Sequence, residues 1–127
     1  MGKGLKLLDL TARSEHTSKL EKGKDKTKFF VGSLTSRQMF KIMAKYGNDL
    51  ADVNSMADCA IQFVRYGLKN VEGELGIGFK LTDDTRLGWK NKAVADDYLD
   101  ALPLDLITEI AEWVTSMSKV GKDQKKA

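Results

Sequence analysis

The sequence predicts an α+β fold: a small, mainly α-helical single domain with a few short β-strands or a hairpin. Three observations carry that expectation. Apolar residues return at helical spacing in three stretches, Phe29 to Val31 is a β-prone run, and a glycine-punctuated segment between residues 68 and 89 follows neither period. With 127 residues, 42% hydrophobic and 31% charged, the chain has material for one core and too little for two.

Taken in order, GLKLLDL at residues 4–10 is an apolar patch with the length of a short strand. Residues 11–28 are polar, lysine-rich and nearly free of large apolar side chains, the composition of a long exposed loop or a loose hairpin. In TKFFVGSLTS the strand-prone run meets Gly32, and the Ser/Thr cluster behind it suits a helix cap. The helix predicted over residues 36–46 gathers Met39, Phe40, Met43 and Tyr46 on one face. It leaves Arg37, Gln38, Lys41 and Lys45 outside that face, and Gly47 is its stop. A second helix, over about residues 52–66, groups Val53, Met56, Ala57, Ala60, Ile61 and Val64, with Asp58, Gln62 and Arg65 opposite and Gly67 as its stop. Residues 68–89, with glycines at 73, 76, 78 and 88, read as loop with one irregular hairpin, and Asp83-Asp84 as a turn.

The single proline marks a corner. Residues 95–101 form a short helix whose first turn is favoured by Asp96 and Asp97, and proline disfavours helical geometry at Leu102 before it. Pro103 itself suits the first turn of the following helix, where its missing N–H costs nothing. That last helix places Leu104, Leu106, Ile107, Ile110, Ala111, Trp113, Val114 and Met117 in an arc of roughly 180°. An arc wider than the usual stripe of about 100° leaves part of the face available to another chain.

Charge divides the chain in three. Residues 1–28 carry +4, residues 29–118 carry −4 and residues 119–127 carry +3. The expected organisation is therefore a basic polar N-terminal segment (1–28), a globular, mainly helical domain (29–119) and a basic flexible tail (120–127). A dedicated nucleic-acid domain usually carries its positive charge on the folded surface, so an acidic body argues against one. No apolar run approaches the roughly 20 residues needed to cross a bilayer, and the N-terminus lacks the apolar block of a signal peptide. A cytosolic chain in a reducing compartment is expected, and the lone cysteine excludes an internal disulfide or a cysteine-rich zinc site.

Few residues are equipped for chemistry. His16 has no second histidine or cysteine beside it and reads as a solvated loop residue. Cys59, flanked on its helix by Met56 and Phe63, reads as a packed thiol. Asp96, Asp97 and Asp100 have the oxygen donors for Mg²⁺, yet helix-start stabilisation and solvation explain them more simply. The GELGIGF run lacks both the spacing and the lysine of a phosphate loop. Trp89 and Trp113 are amphipathic anchors suited equally to a core or an interface. No catalytic constellation emerges and no cofactor is implied.

In order along the chain, FFVGSLTSRQMFKI, CAIQFVRYGLKNVEG and LDALPLDLITEIAEWV resemble the tail assembly chaperones of long-tailed phages and prophages. In that family a strand followed by Leu-Ser/Thr-x-Arg opens the domain, and Leu-Pro-x-Asp-Leu opens the last helix. The pattern falls here on Leu34, Thr35 and Arg37, and on Leu102, Pro103, Asp105 and Leu106, within residues 28–118. The resemblance implies a non-enzymatic protein of the host cytoplasm that coats the long hydrophobic tape measure protein, helps recruit tail tube subunits, self-associates and is absent from the finished particle. Members of that family are often also made in a longer frameshifted form, and Gly121-Lys122 and Lys125-Lys126 are dipeptides of the kind that slip-prone purine runs can encode.

The candidate partner interface is accordingly Met39, Phe40 and Met43 on the first long helix with Leu106, Ile110, Trp113, Val114 and Met117 on the last. The alternative is a small regulatory protein that binds nucleic acid through the lysines at 19–28 and 119–126. A third reading is a carboxylate metal hydrolase built on Asp83, Asp84, Asp96 and Asp100, which lacks a partner histidine or nucleophile.

Overall fold

The computed structural model describes residues 7–23, 26–47 and 53–118. In chain order the elements are β1 (Ser14–His16), β2 (Lys28–Val31), α1 (Ser36–Tyr46), α2 (Val53–Gly67) and β3 (Leu68–Glu72). There follow a 3₁₀ turn at Glu74–Gly76, β4 (Leu81–Asp84), β5 (Asn91–Val94), α3 (Asp96–Ala101) and α4 (Leu104–Met117). This is a small α+β domain, as the sequence predicts. The basic tail and residues 4–6 of the N-terminal patch lie outside the described residues, and residues 7–10 form no strand.

β2 is the centre of an antiparallel sheet ordered β1-β2-β3. Its alternation buries Phe29 and Val31 completely. Opposite them on β3 stand Val71 and Leu68, three residues apart rather than two. A register shift at Phe30/Val31 takes up the extra residue and turns both side chains inward. The strand at Ser14–His16 pairs with β2, which answers to the hairpin rather than the loop reading of residues 11–28, and the glycine-rich segment, expected as loop with one irregular hairpin, supplies two strands that do not pair with each other: β3 joins this sheet, and β4 pairs with β5 in a separate hairpin. Asp83 and Asp84 belong to β4. The turn lies beyond them, where the Gly88 N–H donates to the Thr85 carbonyl and Gly88 takes a φ of 108°, open to glycine at little cost.

α1 has the expected bounds because its ends are chemically marked. The Thr35 hydroxyl accepts from the Gln38 N–H at 3.0 Å while the Gln38 side-chain oxygen accepts from the Thr35 N–H at 2.9 Å, a reciprocal cap. The buried seam, however, is Gln38 and Ile42, with Met39, Met43 and Tyr46 only partly covered and Phe40 outside. Gln38 tolerates burial because its amide also donates to the Asn91 side chain at 2.9 Å. Likewise Gln62 and Arg65, expected on the outer face of α2, are buried: the Arg65 Nε–H donates to Gln62 at 2.9 Å and its guanidinium pairs with Asp96.

Helix α2 runs into β3 with no connecting loop, and Gly67 at the junction lets α4 come close. A Cβ at Gly67 would stand 2.4 Å from Val114 Cγ1. Leu102 is extended (ψ 133°), Pro103 is the N-cap of α4, and its carbonyl accepts the Ile107 N–H at 3.0 Å. The corner expected at the proline is therefore present. α4 packs on α2 on one side and against β2 on the other, enclosing a core that includes Val64, Leu68, Ile110 and Val114.

Candidate partner-binding surfaces

The eight candidate interface residues separate by helix. On α4, Leu106, Ile110 and Val114 are 4%, 0% and 0% exposed, so these three belong to the core. The broad apolar arc of α4 is consumed inside the domain because the helix has neighbours on two sides, where a surface helix has one. Trp113 is half-buried beneath β1: the His16 ring stacks on it at 4.5 Å between centroids and 8° between planes, and Phe29 leans on it at 5.8 Å. Met117 is half-buried beside this stack and lines the same recess as His16 and Trp113.

His16 is thus no solvated loop residue. The Ser14 hydroxyl lies 2.7 Å from its Nε2, and burial holds the imidazole below its ordinary value. The chain after it is fastened to α4 as well, since Glu109 accepts from the Ser18 hydroxyl and, at 2.9 Å, from the Lys19 N–H. A histidine in a polar stretch carries no local mark of an aromatic partner 97 positions away, which is why sequence reasoning misplaced it.

On α1 the result is the opposite. Phe40 is 78% exposed, an apolar ring held in water by a helix whose inward seam lies elsewhere. Met43, one turn on, borders a shallow groove of about 280 Å³ between α1, α2 and α4. Its other walls are Met56, Ala60, Phe63 and Ala111, with Thr108, Glu112 and Thr115 along the α4 edge. Met56 is 55% exposed at its mouth, and Met39 is packed against the core rather than in the groove. Cys59 forms part of the floor. Burial first and the Asp58 charge second push its thiol up, away from the thiolate a nucleophile needs.

A second recess, of about 500 Å³, was not foreseen in the sequence. Leu20, Leu75, Ile77, Tyr98, Leu102 and Leu106 line it, with Ser18, Glu21 and Glu74 nearby. Leu75 and Ile77 belong to the glycine-rich run, where apolar residues follow no helical or strand period. The Tyr98 hydroxyl anchors that run by donating to the Leu75 carbonyl.

The carboxylates considered for metal chemistry are dispersed among cations. Asp83 pairs with Lys92 at 2.9 Å, and Asp96 with Arg65 and, at 3.5 Å, Arg86. Asp84 accepts from the Tyr66 hydroxyl at 2.7 Å and pairs with Arg86 at 2.7 Å. Burial raises the Asp84 carboxyl, but the Tyr66 and Arg86 contacts outweigh it and hold the group below the ordinary range. Among the described residues no three His, Cys, Asp or Glu side chains are grouped to hold a metal. Among them, too, no helix is long and apolar enough to cross a membrane.

Comparison with family models, with curated proteins and with solved structures finds no match to this chain.

Proposed function

We propose that this protein is a tail assembly chaperone of a long-tailed phage or prophage. In this reading it is a non-enzymatic binder that keeps the tape measure protein soluble in the host cytoplasm and helps bring tail tube subunits to it. The observation that carries the reading is the groove bordered by Met43, Met56 and Phe63, with Phe40 exposed one turn before Met43 on α1. An apolar groove open to water is useful to a chain that accepts the apolar side of a helix. Methionine side chains adapt to varied shapes, which suits a client offering many similar but unequal helical segments. The motif resemblance supplies the identity of that client.

Size-exclusion chromatography with light scattering, on the protein alone and after co-expression with the tape measure protein of the same tail gene cluster, tests the proposal. The expected outcome is a soluble complex that survives high salt, because apolar contact dominates it, together with self-association of the free protein. A monomer that leaves the tape measure insoluble would overturn the reading. Binding of nucleic acid that weakens steeply with salt would replace it with the lysine-mediated alternative.

A further inference from the structure

We propose that Arg13 and Lys69 form a binding site for a doubly charged oxyanion, a phosphate group, over Gly32 at one end of the three-stranded sheet. The site shares no residue with the groove of α1, α2 and α4 and does not depend on what that groove binds.

Antiparallel pairing brings the two cations together. Ser14 stands opposite Val31, so Arg13 comes level with Gly32, whose N–H donates to the Gly67 carbonyl at 2.8 Å beside the start of β3. Leu68 turns into the core, and Lys69, next along β3, turns to the other side of the strand. A Cβ on Gly32 would stand 2.9 Å from Arg13 Nη1 and 3.1 Å from Lys69 Cε. Both side chains therefore lie against backbone that glycine leaves bare, with no side chain of residue 32 to part them.

The meeting is electrostatically unfavourable by itself. Lys69 Nζ donates to the Tyr66 carbonyl at 2.8 Å, and Arg13 Nη1 donates to the carbonyls of Ala12 at 2.8 Å and Leu10 at 3.2 Å. Ion pairs among the described residues use Glu15, Asp83, Asp84 and Asp96, and none of them reaches Arg13 or Lys69. Burial first and the Arg13 charge second hold the Lys69 ammonium below its ordinary value. Carbonyls satisfy hydrogen bonds without cancelling charge, so a bound anion relieves both the repulsion and the desolvation. Two ammonium protons on Lys69, with the Nη2 and Nε protons of Arg13, have no partner among the described residues and are available to it. Two cations match a dianion. A phosphate group carries about −1.5 to −2 charges and three acceptor oxygens, whereas a single carboxylate leaves one cation uncompensated.

Isothermal titration calorimetry of the full-length protein with inorganic phosphate, in chloride buffer of fixed ionic strength, tests the site. Phosphate is expected to bind one to one, and acetate about tenfold more weakly. Arg13→Gln should weaken phosphate about tenfold with the melting temperature unchanged, because Arg13 is exposed and its hydrogen bonds are local. Gly32→Ala keeps both charges but parts the two side chains, so it should weaken phosphate severalfold. Adenosine monophosphate, as a second probe, separates the sources: binding tighter than that of inorganic phosphate assigns the site to a phosphate ester, and weaker binding assigns it to the free ion, either of which upholds the site. Absence of phosphate binding, or acetate binding as tight as phosphate, would overturn the proposal. So would phosphate binding that Arg13→Gln and Gly32→Ala both leave undiminished, which would place the anion on the lysine-rich ends instead.

Discussion

Helices α1 and α4 look alike as sequence and end in opposite circumstances. Each has apolar residues beyond the needs of one seam, and both were expected to offer a face to a partner. α4 lies between α2 and the sheet, and β1 closes over Trp113, so its excess apolar surface is spent within the domain. α1 meets α2 and the tip of the β4 and β5 hairpin, buries Gln38 and Ile42, and leaves Phe40 in water. The number of neighbouring elements, rather than the breadth of the apolar arc, decides which helix is core and which is surface.

The largest effect should come from the core of α4. Ile110→Ala is expected to cost about 3 kcal/mol in urea denaturation, as expected for a fully buried aliphatic residue. A loss below about 1 kcal/mol would mean that α4 is less enclosed than described. Trp113→Ala comes next, at about 2 kcal/mol, since the ring is half-buried between His16 and Phe29. Unchanged stability with impaired partner binding would return Trp113 to the interface. Phe40→Ala should alter stability by less than about 0.5 kcal/mol while weakening the client complex, which separates α1 from α4 most sharply.

The smallest effect concerns pH. Because burial lowers the His16 value in the fold, the unfolded chain takes up the proton more readily, and stability is greatest above about pH 6.5 and declines as pH falls through the folded value. The urea midpoint of the native protein should drop slightly between pH 7.5 and 5.5, and His16→Phe should flatten that drop. A midpoint that rises on acidification would show that the imidazolium is favoured over Trp113.

Much of the helical framework was legible. Thr35, Gln38 and Gly47 mark the ends of α1 through short-range hydrogen bonds, and Pro103 marks its corner through φ and the residue before it; both are local physics written in adjacent letters. Among the strands, β2 was legible in the β-prone run Phe29 to Val31, whereas β1 and the bounds of β3, β4 and β5 left no such local trace. β1 is a strand because β2 is beside it, and Leu68 and Val71 share a face because a bulge permits it. The buried polar residues were hidden for a related reason: Gln38 and Arg65 become interior only when Asn91 and Asp96 arrive from more than 30 positions away. Of the candidate interface residues on α1, Phe40 is exposed and Met43 half-buried at the groove. The groove wall at Phe63 and the recess at Leu75 and Ile77 were missed because their neighbours come from separate elements.

The attachment of the first strand to the last helix has a consequence for synthesis. Ser18 reaches Glu109 across 91 positions, and the Leu34 N–H donates to the Ser118 hydroxyl at 2.7 Å across 84. A nascent chain emerging from the ribosome therefore exposes Phe29 and Val31 for as long as α4 remains in the exit tunnel, and the domain closes in one late step rather than growing from its N-terminus.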